Sequence, residues 1–533
     1  RGCGTRVSLT IPVVLALAGM SSKCAAFSLV ASPLLRSSAG SSVQGRAFAV
    51  ALHTQQQKHS FTRLATRCLS MAANAEGSGG GGGRASAAVV QDKDKSANKG
   101  AKLEKLDLQP PKGTRDFYPE DMRLRNWLFG HWKDIARVYG FDEYDAPVLE
   151  NEALYIRKAG EEVTQQLYNF EDKGDRRVAL RPEMTPSLAR MVLAKGKSLS
   201  LPVKWFSLPQ CWRYERMTRG RRREHYQWNM DIWGVEGIEA EAELLSAITT
   251  FFKRVGITSA DVGLKVNSRA VLAEVLSKMG VPEEQFAATC VLVDKLEKVE
   301  ISAIKGDMEE LGLTEDIIQK LLDTIAIKDL DELEKVLGET SPALQQIKDL
   351  FTYAEAYGFK DWLVFDASVV RGLAYYTGLV FEGFDRQGEL RAICGGGRYD
   401  KLLEAFGGAA IPAVGFGFGD AVIVELLKDK GVLPSFASGN VDAVVFPFSR
   451  AQFPAAAALA ASMREQNLSV DLVLEEKKPK WLFKQAERVG ASHVIILGED
   501  EVSKGIVQVK NLATGAQSEV TLAEVPGFLT LAK

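Results

Sequence analysis

The sequence predicts an α+β protein of several domains, and three stretches carry this prediction. Aromatic and apolar segments flank a polar loop around Gly220, which predicts a β-hairpin between Cys211 and Gly234. From about residue 269 to 350 the chain is rich in Leu, Lys and Glu and lacks long β runs, so this stretch is predicted to be a helical insertion. From Val441 on, short apolar strands alternate with helical segments, which is the pattern of a small α/β domain.

Residues 1–75 have the composition of a targeting leader, because they contain no Asp or Glu and are rich in Arg and Ser. The apolar run SLTIPVVLALAGM is too short to span a bilayer and is followed by small residues, as in a secretory signal. With the Arg/Ser-rich stretch after it, this run predicts a cleaved bipartite leader for import into a plastid, with the mitochondrion as a second destination. A simple mitochondrial or plastid presequence is the alternative, and the mature form is expected to have no membrane association.

The glycine-rich run 77–83 and the polar residues after it predict a flexible linker over residues 76–108. The first predicted element after it is an amphipathic helix that begins at Pro119 and ends before Gly140. Further on, a strand at 178–180 meets a helix that starts at Thr185. Glu183 lies at this joint, where it is expected either to face a cleft or to be a first-turn acid favoured by the helix dipole.

The predicted hairpin concentrates positive charge in a chain whose net charge is only −2. Its arginines are Arg213, Arg216, Arg219, Arg221, Arg222 and Arg223. Such a cluster indicates phosphate binding, although a single arginine taken alone is equally consistent with a surface charge. The sequence has no GxxxxGK[ST] loop and no GxGxxG opening a βαβ unit, so the usual nucleotide cradles are absent. Its six cysteines form no CxxC pair, which argues against a disulfide framework and against a zinc site.

Several motifs, in order, resemble the histidyl-tRNA synthetases among the class II aminoacyl-tRNA synthetases. KGTRDFYP with GFDEYDAPVLE is similar to the N-terminal signature and first motif of that family, and the stretch 212–234 is similar to its second motif. VGFGFGDAVI is similar to the third motif, while RGLAYYTG and GGGRYD look like the two histidine-specific signatures. The resemblance runs from about Pro110 to the C-terminus.

The resemblance implies a catalytic domain with an antiparallel sheet flanked by helices, a helical insertion, and a C-terminal α/β anticodon-binding domain. It also implies a homodimer that activates L-histidine with ATP to histidyl-adenylate and transfers it to the 3′-terminal ribose of tRNA-His. Mg²⁺ would accompany ATP, and no protein-bound metal site is expected. The resulting division is a leader (1–75), a linker (76–108), a first catalytic part (109–270), the insertion (271–350), a second catalytic part (351–430), a linker (431–440) and the anticodon-binding domain (441–533).

The resemblance also assigns roles to residues. Arg213 and Arg371 would contact the α-phosphate and stabilise its charge during transfer, each contact being worth roughly 1.5–3 kcal/mol. The remaining ATP-binding residues would be Glu215, Arg221 and His225, the last standing where the family usually has a stacking Phe. The histidine-binding residues would be Glu183, Thr185, Gln227, Asp231, Arg371, Tyr375, Tyr376 and Tyr399. The tRNA acceptor end would meet Arg216, Arg219, Arg222 and Arg223.

Basic residues interleaved with aromatic ones occur in EEKKPKWLFKQAERVG, within the C-terminal domain. Lys480, Trp481 and Lys484 therefore suit the anticodon, because unpaired bases stack on aromatic rings. A solvated amphipathic helix with a buried Trp is the alternative interpretation.

Two positions depart from the family pattern. Ala374 stands where the family usually has Asp, and the third motif offers Asp420, Ala421 and Val422 where an arginine normally holds the γ-phosphate. Arg221 is a candidate to carry part of that lost charge. The competing functions are a non-catalytic relative such as the regulatory subunit of ATP phosphoribosyltransferase, a synthetase for another amino acid, and a tRNA-binding protein without activity.

Overall fold

The structure, a computed structural model, describes residues 106–156, 164–296, 299–369, 375–436 and 441–531. The predicted leader and nearly all of the predicted linker after it therefore lie outside the described residues. Within the described ranges, we find no helix that combines the length and the apolar character needed to cross a membrane.

The described chain before residue 437 forms one large α+β domain. Its helices are α1 (Pro119–Val138), α2 (Ala153–Ile156), α3 (Thr185–Lys195), α4 (Glu239–Arg254), α5 (Arg269–Lys278), α6 (Glu283–Asp294), α7 (Ile301–Glu310), α8 (Glu315–Ile325), α9 (Leu330–Leu337), α10 (Pro342–Tyr357), α11 (Leu402–Ala405) and α12 (Asp420–Asp429). Its strands are β1 (Asp142–Glu143), β2 (Leu149–Asn151), β3 (Tyr168–Glu171), β4 (Arg177–Leu180), β5 (Val203–Ser207), β6 (Gln210–Trp212), β7 (Glu224–Trp233), β8 (Val262–Ser268), β9 (Leu363–Phe365), β10 (Leu379–Asp385), β11 (Cys394–Arg398) and β12 (Ala413–Gly419).

Nine of the described strands form one sheet in the order β1-β5-β7-β12-β11-β10-β8-β9, with β6 pairing to β7. The inner strands pair antiparallel, whereas β1 and β9 add to the two edges in parallel. The strands β2, β4 and β3 form a small antiparallel sheet of their own. The antiparallel sheet with flanking helices agrees with the predicted architecture.

Strand β7 lies inside the large sheet, and its two faces have different environments. Trp228, Met230 and Ile232 belong to the main hydrophobic core, where Trp132 of α1 stacks on Trp228 at a ring-centroid distance of 6.0 Å. Side chains alternate between the two faces of a strand, so Asp231 is directed to the opposite side. The face of β7 that packs against the helices therefore holds the strand in place, and the opposite face of β7 is available for polar side chains.

The glycines of β12 make room for those polar side chains. Gly415 pairs with Asp231 across the ladder, and a Cβ at Gly415 would lie 2.1 Å from Asp231 Oδ1 and 2.8 Å from the Tyr399 hydroxyl. Only a residue without a side chain fits at such a close approach. The VGFGFG repeat is thus a central strand in which the neighbours of Gly415 require a residue without a side chain.

The helix-rich stretch contributes to two separate cores. Leu276, Met308 and Leu321 belong to a cluster built from helices α5 to α8 and the turns between them. Helices α9 and α10 instead bury residues such as Leu333 and Ile347 in the main core beside the large sheet. The last helices of the stretch are therefore part of the large domain in their packing.

The C-terminal domain contains β13 (Ala443–Pro447), α13 (Phe453–Glu465), β14 (Val470–Leu472), α14 (Pro479–Arg488), β15 (His493–Leu497), α15 (Glu499–Ser503), β16 (Ile506–Asn511), β17 (Gln517–Thr521) and α16 (Val525–Leu531). Its sheet has the order β14-β13-β15-β16-β17, parallel over the first three strands and antiparallel over the last two pairs. Strands β13 to β16 lie in the short apolar segments that were predicted to be strands from Val441 on. Strand β17 was not predicted, because its sequence QSEVT is mostly polar.

Candidate active site

The predicted hairpin is present, with Cys211 of β6 paired to His225 of β7. Its loop turns at Gly220, whose φ of +70° lies in the left-handed region that glycine adopts without strain. The backbone N–H of Arg223 donates to the Gly113 carbonyl at 3.0 Å, and its guanidinium lies 3.8 Å from the centre of the Tyr214 ring. The N-terminal KGTR segment therefore holds one side of the arginine loop in place.

A cavity of about 200 Å³ lies between this loop and the glycine-rich strands. Its lining residues are Arg213, Glu215, Gly220, Arg221, Arg222, His225, Gln227, Arg391, Ala392, Ile393, Cys394, Gly395, Gly417, Gly419, Ala421 and Val422. Four arginines against one carboxylate make the wall strongly positive. Such a wall favours an anionic ligand.

The arginines of the cavity are held by different partners. Arg213 Nε donates to the Pro182 carbonyl at 2.9 Å, which directs its half-buried guanidinium along the wall. Arg221 contacts the carboxylate of Glu215. The residue proposed to supply extra charge to ATP is therefore also the partner of the residue expected to face adenine.

His225 is a neutral side chain in this setting. Burial, together with the nearby charges of Arg213 and Arg115, lowers the pKa of His225 to about 3. Its Nε2 lies 3.2 Å from the amide nitrogen of Gln227. An uncharged imidazole next to two guanidinium groups can stack on a base without adding to the positive charge.

Behind the cavity, Glu183 and Tyr375 form a buried polar pair. The Tyr375 hydroxyl donates to Glu183 Oε2 at 2.8 Å, while Oε1 is buried and has no hydrogen-bond partner among the described residues. Burial raises the pKa of Glu183, and the charge of Arg213 opposes this shift. Thr185, also buried, starts helix α3 beside this pair. The unpartnered oxygen is suited to a cationic donor such as an ammonium group.

Asp231 forms a second buried site of the same kind. The Tyr399 hydroxyl donates to Asp231 Oδ1, and Oδ2 is buried without a hydrogen-bond partner among the described residues. Burial raises the pKa of Asp231 to about 7, and the charge of Glu183 adds to the shift. The rings of Tyr375 and Tyr399 are 5.9 Å apart, so the two carboxylates belong to one cluster. A ligand with two separate donors would satisfy both.

The remaining predicted residues of the large domain divide into three groups. Gln227 lines the cavity, and the buried ring of Tyr376 lies 5.1 Å from that of Tyr375. Arg216 and Arg222 are exposed, whereas Arg219 is paired with Asp429 at 2.5 Å and with Glu425 at 3.3 Å. Arg371 and Ala374 lie outside the described residues.

The structure adds a buried ion network that sequence reasoning missed. Arg115 Nη2 lies 2.9 Å from Asp420 and 3.3 Å from Glu224, and the Tyr226 N–H donates to Asp420 at 3.0 Å. Asp420 thus joins the start of α12 to β7 and to the N-terminal segment. An acid directly after glycine at a helix start was the available signal.

In the C-terminal domain, Lys480 and Lys484 are exposed on α14, while Trp481 is half-buried against the core. This exposure pattern is compatible with both interpretations of the helix, so the anticodon role of these residues stays a prediction. A separate crevice of about 660 Å³, lined by Arg450 and Leu474 among others, lies where β13 and β14 end.

No group of three or more His, Cys, Asp or Glu side chains that could hold a metal ion occurs in the part of the chain that the structure describes.

The antiparallel sheet, the arginine hairpin and the separate α/β domain together define the class II aminoacyl-tRNA synthetases. Residues 113–420 match the family model of histidyl-tRNA synthetase, and residues 442–530 match that of an anticodon binding domain. The chain therefore belongs to the histidyl-tRNA synthetase family, which confirms the resemblance seen in its motifs.

Three relatives illustrate this membership. A chloroplastic/mitochondrial histidine–tRNA ligase of Arabidopsis thaliana is 59% identical over 421 residues, covering 79% of this chain and 86% of the relative. A histidine–tRNA ligase of Opitutus terrae is 41% identical over 423 residues, covering 78% and 97%. The crystal structure of histidyl-tRNA synthetase from Nostoc sp. PCC 7120 has a TM-score of 0.65 at 24% identity and covers 80% of this chain and 100% of that chain, which supports the fold.

Proposed function

We propose that this protein activates L-histidine with ATP and transfers the histidyl group to the 3′-terminal ribose of tRNA-His. The observation that carries the proposal is the pair of buried carboxylates, Glu183 and Asp231, each with one oxygen that lacks a hydrogen-bond partner among the described residues. Free histidine carries an ammonium group and a ring N–H, which are the two donors that such a pair requires. Membership of the histidyl-tRNA synthetase family agrees with this reading.

In the proposed complex, Glu183, Thr185 and Gln227 hold the α-amino group of histidine. Asp231 and Tyr376 read the two ring nitrogens, while Tyr375 and Tyr399 line the pocket and orient the carboxylates. A site that hydrogen-bonds both nitrogens rejects analogues without them by about 10⁴-fold or more.

ATP occupies the positive cavity in this proposal. Glu215 faces the adenine and His225 stacks on it, while Arg213 and Arg371 contact the α-phosphate. Arg221 takes part of the charge of the triphosphate. Mg²⁺, which accompanies ATP as part of the substrate, neutralises the β- and γ-phosphates.

The chemistry then needs positioning and charge stabilisation. The histidine carboxylate attacks the α-phosphorus, a bond to the carboxylate oxygen forms, and the bond to pyrophosphate breaks. Charge grows on the α-phosphate oxygens in the transition state, where fixed guanidinium groups stabilise it. In the second step the terminal ribose hydroxyl attacks the acyl carbon and AMP leaves.

The wider proposal includes tRNA, a second copy of the chain and an organelle. Arg216, Arg219, Arg222 and Arg223 would meet the acceptor end, with exposed Arg216 and Arg222 best placed for it. Lys480, Trp481 and Lys484 would meet the anticodon. We further propose a homodimer, and import into the plastid or mitochondrion by a cleaved leader, in line with the name of the Arabidopsis relative.

The test is ATP–pyrophosphate exchange by the unit from Leu106 to Lys533, with and without histidine. Exchange that depends on histidine is the expected result. If the folded protein shows no exchange at any histidine concentration, the result would favour a non-catalytic relative such as the regulatory subunit of ATP phosphoribosyltransferase.

A further inference from the structure

We propose that Asn267 and Arg269, at the end of strand β8, are positioning residues for histidine recognition, because they hold the backbone on both sides of positions 370–374. The segment that they hold carries Tyr375 and Tyr376. This inference rests on the proposed function, which places these two tyrosines in the histidine pocket. It adds two residues that were not among the predicted site residues, and both act through the backbone of the segment and not on the substrate itself.

The backbone ladders on the two sides of β8 both reach the end of this strand. On one side, β9 pairs with β8 in parallel up to Phe365 and Val266, and the Asp366 N–H donates to the Val266 carbonyl at 3.1 Å. On the other side, β10 pairs antiparallel with β8 from Leu379 onward, opposite Ser268. The chain between β9 and β10 therefore leaves the sheet and rejoins it beside the same end of β8.

Asn267 extends the hold on the first side beyond the end of β9. Its side chain is buried, and its Nδ2 donates to the carbonyls of Ala367 and Val369 at 2.9 and 3.1 Å. A single amide group thus binds two carbonyls that lie two residues apart, where the chain leaves the sheet. A side chain without an N–H group at position 267 would lose both of these contacts.

Arg269 holds the segment on the second side. Its Nη1 donates to the Tyr376 carbonyl at 3.2 Å, and its guanidinium lies 5.9 Å from the centre of the Tyr376 ring. Its backbone N–H donates to the Gly378 carbonyl at 3.0 Å. The ring of Tyr376 lies 5.1 Å from that of Tyr375, whose hydroxyl donates to Glu183. A displacement of this backbone would therefore move the tyrosines relative to the buried Glu183 carboxylate.

Loss of one contact should shift the segment without releasing it. The Thr377 N–H also donates to the Arg398 carbonyl at 2.8 Å, so the second side keeps a hold when the Arg269 side chain is removed. Even a small shift matters, because hydrogen bonds weaken steeply with poor distance and angle. A misplacement of about 1 Å can cost about a hundred-fold in a site that depends on orientation. A purely structural role would instead lower stability and leave histidine affinity unchanged.

The experiment measures equilibrium dissociation constants for L-histidine and for ATP, each alone, on the full chain. Asn267→Ala and Arg269→Ala should each weaken histidine binding by about ten-fold, because the tyrosines of the pocket are then poorly placed. ATP binding should change by less than about three-fold, since most of the proposed ATP contacts lie on the arginine hairpin. Arg269→Lys keeps a charged donor and should recover part of the loss.

The matched control is Glu274→Ala on helix α5, which begins at Arg269. Glu274 accepts from the Ser341 hydroxyl at 2.5 Å and from the Ala343 N–H at 3.2 Å, so this variant also loses two hydrogen bonds, but away from the tyrosine segment. It should lower the midpoint of thermal unfolding and leave the histidine constant unchanged. Circular dichroism establishes that each variant is folded, and if Asn267→Ala is not, Arg269→Ala and Arg269→Lys decide the outcome.

An unchanged histidine constant in a folded variant would overturn the role of that residue, and equal weakening of histidine and ATP would overturn the inference as a whole. Histidine-dependent exchange by the wild-type chain is measured in parallel. If the wild-type chain shows exchange but the variants keep their histidine affinity, this inference fails and the proposed function stands. If the wild-type chain binds histidine without exchange and the variants lose that binding, the proposed function fails and the positioning role stands.

Discussion

Individual side chains in the site have protonation states that differ from those of exposed residues. Burial raises the pKa of Asp231 to about 7 and lowers that of His225 to about 3. Both shifts disfavour the charged form, because desolvation is the largest cause in each case. The unliganded pocket is therefore less charged at neutral pH than its composition suggests, and a ligand that donates to Asp231 favours its ionisation.

Replacing Asp231 by Asn is expected to raise the KM for histidine by at least about ten-fold, because an amide cannot supply a second carboxylate oxygen. The pH dependence of stability should change as well. With a raised pKa, Asp231 contributes stability that is present at low pH and is lost as the pH rises to about 7. The free energy of unfolding of Asp231→Asn, relative to wild type, should therefore increase from pH 4 to 7, as measured by urea denaturation.

His225→Phe is the control with the opposite sign. Because the folded pKa is lowered, His225 contributes stability that is present above about pH 6.5 and is lost as the pH falls toward 3. The variant should therefore become more stable relative to wild type as the pH falls. If both variants showed the same pH trend, the assigned protonation states would be wrong.

At the scale of elements, strands β7 and β12 and helix α12 hold the site together. The close pairing of β12 with β7 leaves space for Asp231 only because Gly415 has no side chain. The start of α12 is tied to β7 by Asp420. Site geometry therefore depends on residues that do not themselves touch the proposed substrates.

Gly415→Ala should destabilise the protein by about 1–3 kcal/mol and raise the KM for histidine, because its Cβ would lie 2.1 Å from Asp231 Oδ1. Gly417→Ala on the same strand should be milder in both respects, since its Cβ would meet Gln227 at 3.4 Å. Thermal unfolding and exchange kinetics would measure the two effects. Equal effects of the two substitutions would contradict the steric argument.

Asp420→Ala is expected to cost about 1–3 kcal/mol of stability, because it leaves Arg115 with one carboxylate fewer and the Tyr226 N–H without its acceptor. Glu425→Ala on the same helix breaks a more exposed pair with Arg219 and should cost less than about 1 kcal/mol. Urea denaturation of both variants gives the comparison. A similar, small cost for both would mean that the Arg115 network does not stabilise the fold.

At the scale of the whole molecule, the two described domains have separate hydrophobic cores. In the described ranges, the main core clusters of the large domain contain no residue beyond Leu433. Those of the C-terminal domain draw only on residues from Ala443 onward. Each domain therefore has the internal packing to fold by itself.

A chain that lacks residues 441–533 should keep histidine-dependent exchange within a few-fold, because the cavity and the buried carboxylates lie entirely in the large domain. Its transfer of histidine to tRNA-His should fall by about a hundred-fold or more, since the domain that we propose to contact the anticodon is gone. Circular dichroism would establish that the shortened chain is folded. Loss of exchange in a folded protein would show that the domains depend on each other.

Many of the helices and strands could be predicted from the sequence, because helix periodicity, strand alternation and turn residues are signals that act over short distances. The hairpin from Cys211, the helix after Pro119 and the α/β character of the C-terminal domain all follow from such local signals. The polar strand β17 has no such signal and was missed. The packing of α9 and α10 into the main core was also not visible, because amphipathicity does not say which surface a helix will cover.

The sequence by itself determined the local features of the site: an arginine-rich hairpin, a glycine-rich strand, and Glu183 at the joint between a strand and a helix. Only the tertiary structure decided which of those residues contact one another and which are buried. Glu183 meets Tyr375 across 192 residues, and Arg115 meets Asp420. Such pairings, and the burial that shifts the pKa of Asp231 and His225, depend on contacts between distant segments, which local sequence patterns do not encode.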